Sequence, residues 1–166
     1  MSNGTSQSSL PARTLHITSD TTHLATIRES VAGAAAWMGF VEPTVSQIVL
    51  AVDEAIANVI KHGYQGCPGQ PIEVTVEPIT RSGRRGLQVT VCDCGRQVAP
   101  DAIVGRCLED VRPGGLGTHI IRNVMDEVEY SHRRPRGMKL RMAKLIDTGR
   151  DETPTDREPG EGSSDG

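Results

Sequence analysis

Apolar residues recur along this chain with two different periods. Between residues 43 and 62, Ile48, Val52, Ala55, Ile56 and Val59 fall three and four positions apart, one continuous stripe of a 3.6-residue repeat. Pro43, favoured in a first helical turn, and Gly63, a helix stop, bound that segment. An earlier helix carries Leu24, Ile27 and Val31 on the same period, with Ser19, Asp20 or Thr21 as N-cap and Gly39 as terminator. Elsewhere the pattern alternates. RTLHIT (13–18), IEVTVEPI (72–79), GLQVTVCD (86–93) and the late pair DEVEYSH and GMKLRMAKLI read as strands, with RSGRR (Gly83 at its tip) and RRPRG as hairpin turns. Periodicity is weak between Cys94 and Gly117, and a helix, THIIRNVMD, follows. Strand, two helices, two strands, long loop, helix and two strands predict an α+β fold, its helices covering one face of a mainly antiparallel sheet.

Composition narrows the function classes. At 166 residues the chain fits one domain with a core of its own. Aromatics make up only 2% of it, so Leu, Ile and Val build the core and the aromatic stacking platforms of single-strand nucleic-acid binders are excluded. The net charge of −3 is uneven. Residues 147–166 hold seven acids against two arginines, a balance of −5 that leaves +2 on residues 1–146. That acidic tail and the polar residues 1–12 read as disordered, flanking a folded domain over 13–146. No apolar leader is evident and no window approaches a membrane span, so a cytoplasmic protein without membrane contact is expected. Cys67, Cys92, Cys94 and Cys107 lack the spacing of a metal site and read as reduced thiols. The basic run 132–144 alternates like a strand with its charges facing water and is not read as a nucleic-acid site.

Three short stretches carry candidate chemistry. In VDEAIANVIKHGY (52–64), Glu54 and Asn58 stand four positions apart, on one flank of the helix beside its apolar stripe, and Lys61 and His62 extend that polar flank. Asn is a poor mid-helix residue, but an amide oxygen suits Mg²⁺ and a carboxylate can take a nucleophile's proton. In VTVCDCG, Asp93 ends a strand and Gly95 follows; a carboxylate there can accept a hydrogen bond from an exocyclic amine beside a closely approaching backbone. In RPGGLGTHII, glycines 114, 115 and 117 precede an apolar helix, leaving free N–H groups at a helix start that suit phosphates. Arg28 either faces a partner or pairs with Asp53, a surface salt bridge being the default expectation.

Together, DEAIANVIKHGY, DCG and GGLGTHIIRNVMDEVEY resemble the N, G1 and G2 boxes of the GHKL ATPase superfamily, and most of all the small anti-sigma-factor serine kinases of bacterial partner switching. The resemblance implies a two-layer α/β sandwich of the GHKL (Bergerat) type, with a mixed, mainly antiparallel sheet and ATP held between helices and sheet under a lid. It implies Glu54 as general base and Asn58 as the Mg²⁺ ligand. Asp93 would read adenine, with Gly95 beside the ring. Gly115, Leu116, Gly117 and Thr118 would wrap the phosphates, Arg112 would reach the γ-phosphate, and Lys61 and His62 would close the N box. The G1 box departs from Asp-x-Gly-x-Gly at Gln97, which is expected to restrict the backbone and add bulk beside the nucleotide.

The function implied is an ATP-dependent serine/threonine protein kinase and anti-sigma factor. It would bind a sigma factor and phosphorylate a STAS-domain anti-anti-sigma protein, and the family relation also implies a homodimer. A non-catalytic ATP-binding interaction module is the alternative. A histidine-kinase fragment ranks lower, because the first 40 residues hold only His16 and His23 as candidate acceptors.

Overall fold

The computed structural model describes residues 10–104 and 116–147 of the chain. In order, the elements are β1 (Arg13–Thr18), α1 (Leu24–Met38), α2 (Glu42–Asn58), β2 (Pro71–Arg81), β3 (Arg84–Asp93), α3 (Pro100–Val104), α4 (Leu116–Val124), β4 (Glu127–His132) and β5 (Met138–Leu145). The strands form one sheet in the order β1-β2-β3-β5-β4, and every neighbouring pair is antiparallel. The fold is α+β, as the alternation of periods predicts. The expectations about residues 1–9, 105–115 and 148–166, Cys107 and most of both tails among them, lie outside the described residues.

Each strand divides its residues between two faces. Ile72, Val74 and Val76 of β2 stand opposite Asp93, Val91 and Val89 of β3, and Val91 and Val89 in turn oppose Leu140 and Met142 of β5. All but Asp93 are apolar, and all are buried. This is the face the helices cover. The other face is polar and pairs across strands: Thr14 with Thr75 at 2.9 Å, Gln88 with Glu77 at 2.6 Å, Arg141 with Glu129. Within the 132–144 run, Arg133 also pairs with Glu73 at 3.5 Å and Lys144 with Asp126 at 3.1 Å. The β2–β3 hairpin closes more tightly than its sequence suggests. Ser82 and Gly83 both adopt positive φ, 49° and 79°, a two-residue turn whose twist matches the strands and extends them to an Arg81–Arg84 pair.

The first helix begins later than expected, after a short 3₁₀ turn over Thr21–His23. The candidate caps Ser19 and Asp20 are engaged elsewhere. The Ser19 hydroxyl donates to Cys67 O at 2.7 Å and accepts from Gln70 N at 3.0 Å, tying the chain after β1 to the loop before β2. Asp20 accepts from the Thr18 hydroxyl at 2.7 Å. A long-range staple outcompetes the local cap.

α2 buries Val45, Ile48, Ala51, Val52, Ala55 and Ile56, the predicted stripe. It continues as a wider π-turn over Val59–Gly63, closed by Tyr64 N donating to Val59 O at 2.9 Å. The continuous rod Glu42–Gly63 spans 22 residues and is long and apolar enough to cross a membrane, which corrects the expectation that no window approaches that length. Its apolar stripe lies within the shared core of the helices and sheet, which is why a core helix meets such a criterion. Asp53, on its flank, accepts from Arg28 Nε at 2.7 Å, the expected pair.

Ile56 is fully buried, while Ala57 beside it is exposed. Ile56→Ala is therefore expected to lower unfolding free energy by about 2–5 kcal/mol. Ala57→Ser should stay within about 0.5 kcal/mol. Urea denaturation of both variants measures the difference.

Candidate functional site

The helix layer does not cover the whole inner face. At the end of β3 the apolar row Ile17–Ile72 terminates in Asp93, and above it opens a cavity of about 280 Å³. Val91, Met138 and Leu140 line it from the sheet, with Tyr130 on β4 beside them. Ala55, Asn58, Val59, His62 and Gly63 line it from α2 and the π-turn. Arg96, Val98, Ala102 and Ile103 line it from the segment after β3, and Thr118 from α4.

Asp93 is buried, 3% exposed. Its Oδ1 accepts from Gly95 N at 2.7 Å and from Met138 N at 3.3 Å, leaving Oδ2 uncommitted to these backbone bonds. Burial raises its pKa above the usual carboxylate range, opposed by the two amides and by the Arg133 guanidinium. An apolar floor ending in one polar acceptor suits a flat heterocycle with an exocyclic amine. Gly95 serves a different contact from the one expected of it. A Cβ there would lie 2.5 Å from Gly63 O, so glycine at this position lets the strand end press against the π-turn, where Arg96 N also donates to Gly63 O at 3.0 Å.

Glu54 and Asn58 lie together at the start of α4. A Cβ on Gly117 would come within 2.5 Å of Glu54 Oε2 and within 3.4 and 3.5 Å of the Asn58 amide atoms, so α4 approaches the acid–amide pair because residue 117 has no side chain. Thr118 follows on the cavity wall. His62, although exposed, lines the cavity, whereas Lys61 is exposed and does not. Leu116 is 68% exposed at the start of α4. Gly115 and Arg112 lie outside the described residues. The cavity thus runs from Asp93 at its apolar end to Asn58 and Thr118 near the start of α4, with Glu54 against Gly117 just outside the lining, a polarity that fits a purine nucleotide with its phosphates toward α4. Among the described residues no group of three or more His, Cys, Asp or Glu gathers as a metal cluster. A cation here would take few protein oxygens and complete its shell from phosphates and water, which suits Mg²⁺.

Two features were not anticipated from the sequence. The Tyr64 phenol donates to Pro71 O and accepts from Cys94 N at 2.7 Å, latching the end of the α2 rod to the ends of β2 and β3; burial raises its pKa. Tyrosine was a usable signal here, since the chain holds only two, and both lie at this site. The second feature is Gln97, and it corrects an expectation. Its backbone is not in the left-handed region, and its side chain adds no bulk to the cavity but donates to Arg133 O at 2.8 Å.

A family model described as a histidine kinase-like ATPase domain matches residues 17–144. Serine-protein kinase RsbW of Bacillus pumilus is 30% identical over 132 residues, 75% of this chain and 79% of the relative. Serine-protein kinase RsbW of Listeria monocytogenes is 32% identical over 127 residues, 72% and 77% of the two chains. The matched span takes in the sheet from Ile17 in β1 to Lys144 in β5, the α2 rod and all of the cavity lining; this chain belongs to the histidine kinase-like ATPase domain family.

Proposed function

We propose that this protein is an ATP-dependent serine/threonine protein kinase and anti-sigma factor, which binds a sigma factor and phosphorylates a STAS-domain anti-anti-sigma partner. The observation that carries the reading is a cavity lined by both Asp93 and Asn58, with Glu54 and Asn58 packed together against Gly117 at the start of α4. The names of the two RsbW relatives support the kinase assignment. A cytoplasmic setting and a homodimer belong to the same proposal; sedimentation velocity of the purified chain measures the latter.

Each residue role follows from its chemistry. Asp93 accepts from the exocyclic amine of adenine while Val91, Met138 and Leu140 take the ring's apolar area. The first amides of α4 and the Thr118 hydroxyl donate to phosphate oxygens. Glu54 takes the proton from the partner's hydroxyl as that oxygen attacks the γ-phosphorus of ATP, whose bond to the bridging oxygen breaks so that ADP leaves. Asn58 would hold Mg²⁺, whose charge offsets that of the phosphates. Once transferred, a phosphate at the partner's interface adds charge and desolvation cost, which releases the partner and frees this protein for the sigma factor.

Incubation with γ-labelled ATP and the STAS partner tests the assignment. Labelled phosphoserine or phosphothreonine on the partner is expected. Nucleotide binding without any label transfer would leave a non-catalytic binding module instead.

Glu54→Gln keeps size and hydrogen-bonding reach but cannot take a proton. Phosphotransfer should fall by roughly 100-fold or more, with ATP affinity, read by calorimetry, within about threefold of the parent.

Asp93→Asn separates binding from stability. The two backbone amides engage the Asn oxygen, so its NH₂ faces the adenine amine, donor against donor. ATP affinity should drop by roughly tenfold or more. The pH effect has the opposite sign. In the folded chain Asp93 holds its proton to higher pH than in the unfolded chain, so the folded state binds more protons and stability falls as pH climbs from the ordinary carboxylate range through the folded value. Acidification back through that window restores it. Asn removes this dependence, so the ligand-free variant should melt at or above the parent's temperature near neutral pH and show a flatter stability profile on its acid side.

A further inference from the structure

The wall of the cavity formed by Arg96 and Val98 belongs to neither layer of the sandwich. It follows the last residue of β3 and precedes α3, where a short exposed segment is ordinarily loose. Here it is attached at two points, to the last residue of β4 and to the first residue of the turn that leads to β5. Gln97 Nε2 donates to Arg133 O at 2.8 Å. His132 Nε2 lies 3.0 Å from Val98 O, and since a carbonyl only accepts, Nε2 carries the hydrogen. The turn is itself a firm post. Arg133 N donates to Gly137 O at 2.9 Å, Met138 N reaches Asp93 Oδ1, and Gly137 presses so close to Asp93 that an added Cβ would meet its carbonyl oxygen at 2.0 Å.

We propose that Gln97 and His132 are positioning residues that clasp this wall to the β4–β5 turn, so that Arg96 and Val98 already face the cavity before nucleotide arrives. The inference rests on the nucleotide reading of the cavity and adds to it a reason for the residue that departs from the Asp-x-Gly-x-Gly pattern. Side chains alternate along the segment: 96 and 98 line the cavity, while the amide of 97 reaches the turn. A glycine at 97 would offer no donor, and the wall would have to be ordered by the ligand at the expense of affinity. Gln97 therefore supplies pre-organisation where a glycine supplies freedom. Neither side chain touches the cavity itself, since neither Gln97 nor His132 is among its lining residues.

The test compares the parent with Gln97→Met, which keeps length but has no N–H donor, Gln97→Gly, and His132→Phe. Calorimetry with ATP and with ADP in magnesium buffer reads affinity. Hydrogen exchange of the ligand-free and ATP-bound proteins reads order, and thermal melting reads the fold. Loss of one clasp bond should weaken both nucleotides by roughly three- to tenfold, the worth of one net hydrogen bond. Amides 96–99 should exchange faster in the ligand-free variants, the difference narrowing when ATP is bound, with strands β2 and β3 unchanged. Affinities within twofold of the parent, or tighter binding by Gln97→Gly, would overturn the clasp while leaving the nucleotide site standing. A parent that binds neither nucleotide would remove the site and the clasp with it.

Discussion

A carboxylate buried at the edge of an apolar sheet face is the constraint around which this structure is arranged. Asp93 stands where the alternation of β3 calls for another Val, opposite Ile72 and beyond Val91. Little of it reaches solvent, and the protein supplies two backbone amides, one from the residue two positions on and one from the start of β5. Both require close approach of backbones. Close approach at these strand ends is allowed by two glycines, Gly95 against the π-turn and Gly137 against Asp93 itself. What the burial leaves behind is an acceptor at the end of an apolar slot, held by strand ends that cannot shift independently.

The opposite end of the slot is organised by α2. Its stripe of Ile48, Val52, Ala55 and Ile56 anchors the rod in the core, so its polar flank is presented at a set height above the sheet. Glu54 and Asn58 share that flank one turn apart, and α4 can reach them because Gly117 has no side chain. The rod then widens into a π-turn before Tyr64, a departure from regular helix often associated with functional sites. Tyr64 returns the chain to the strand ends through its two hydrogen bonds. The acid–amide pair and the buried carboxylate thus belong to one rigid frame, although 35 positions separate Asn58 from Asp93 in the chain.

Much of this arrangement was legible in the sequence because it follows from local periodicity. The α2 stripe, the strand alternation, the hairpin at Gly83 and the one-turn spacing of Glu54 and Asn58 all depend on residues a few positions apart, whose relative directions are set by backbone geometry alone. The misreadings share one cause. Ser19 and Asp20 look like helix caps by position, yet Asp20 is engaged by Thr18 and Ser19 by Cys67 and Gln70, the latter two being partners that no local rule singles out. Gln97 looks like an obstruction beside a glycine motif, but its amide belongs to Arg133, 36 positions away. The length of the apolar rod suggested nothing about a membrane until the helical stretch was seen to run unbroken to Gly63.

The sequence by itself determined the three longer helices and the five strands, though not α3, and which face of each is apolar. It also showed that an acid, an amide, a strand-end carboxylate and a glycine-led helix start are available as chemical groups. Tertiary structure alone decided that the amide, the strand-end carboxylate and the helix start meet at one cavity with the acid beside it, that its floor is Val91, Met138 and Leu140, and that a tyrosine and a glutamine far from one another hold its walls. The physical reason is the range of the forces concerned. Periodicity is imposed by torsion angles within a few residues, whereas contact between strand ends and helix ends exists only once the core has excluded water and brought distant backbone into hydrogen-bonding reach.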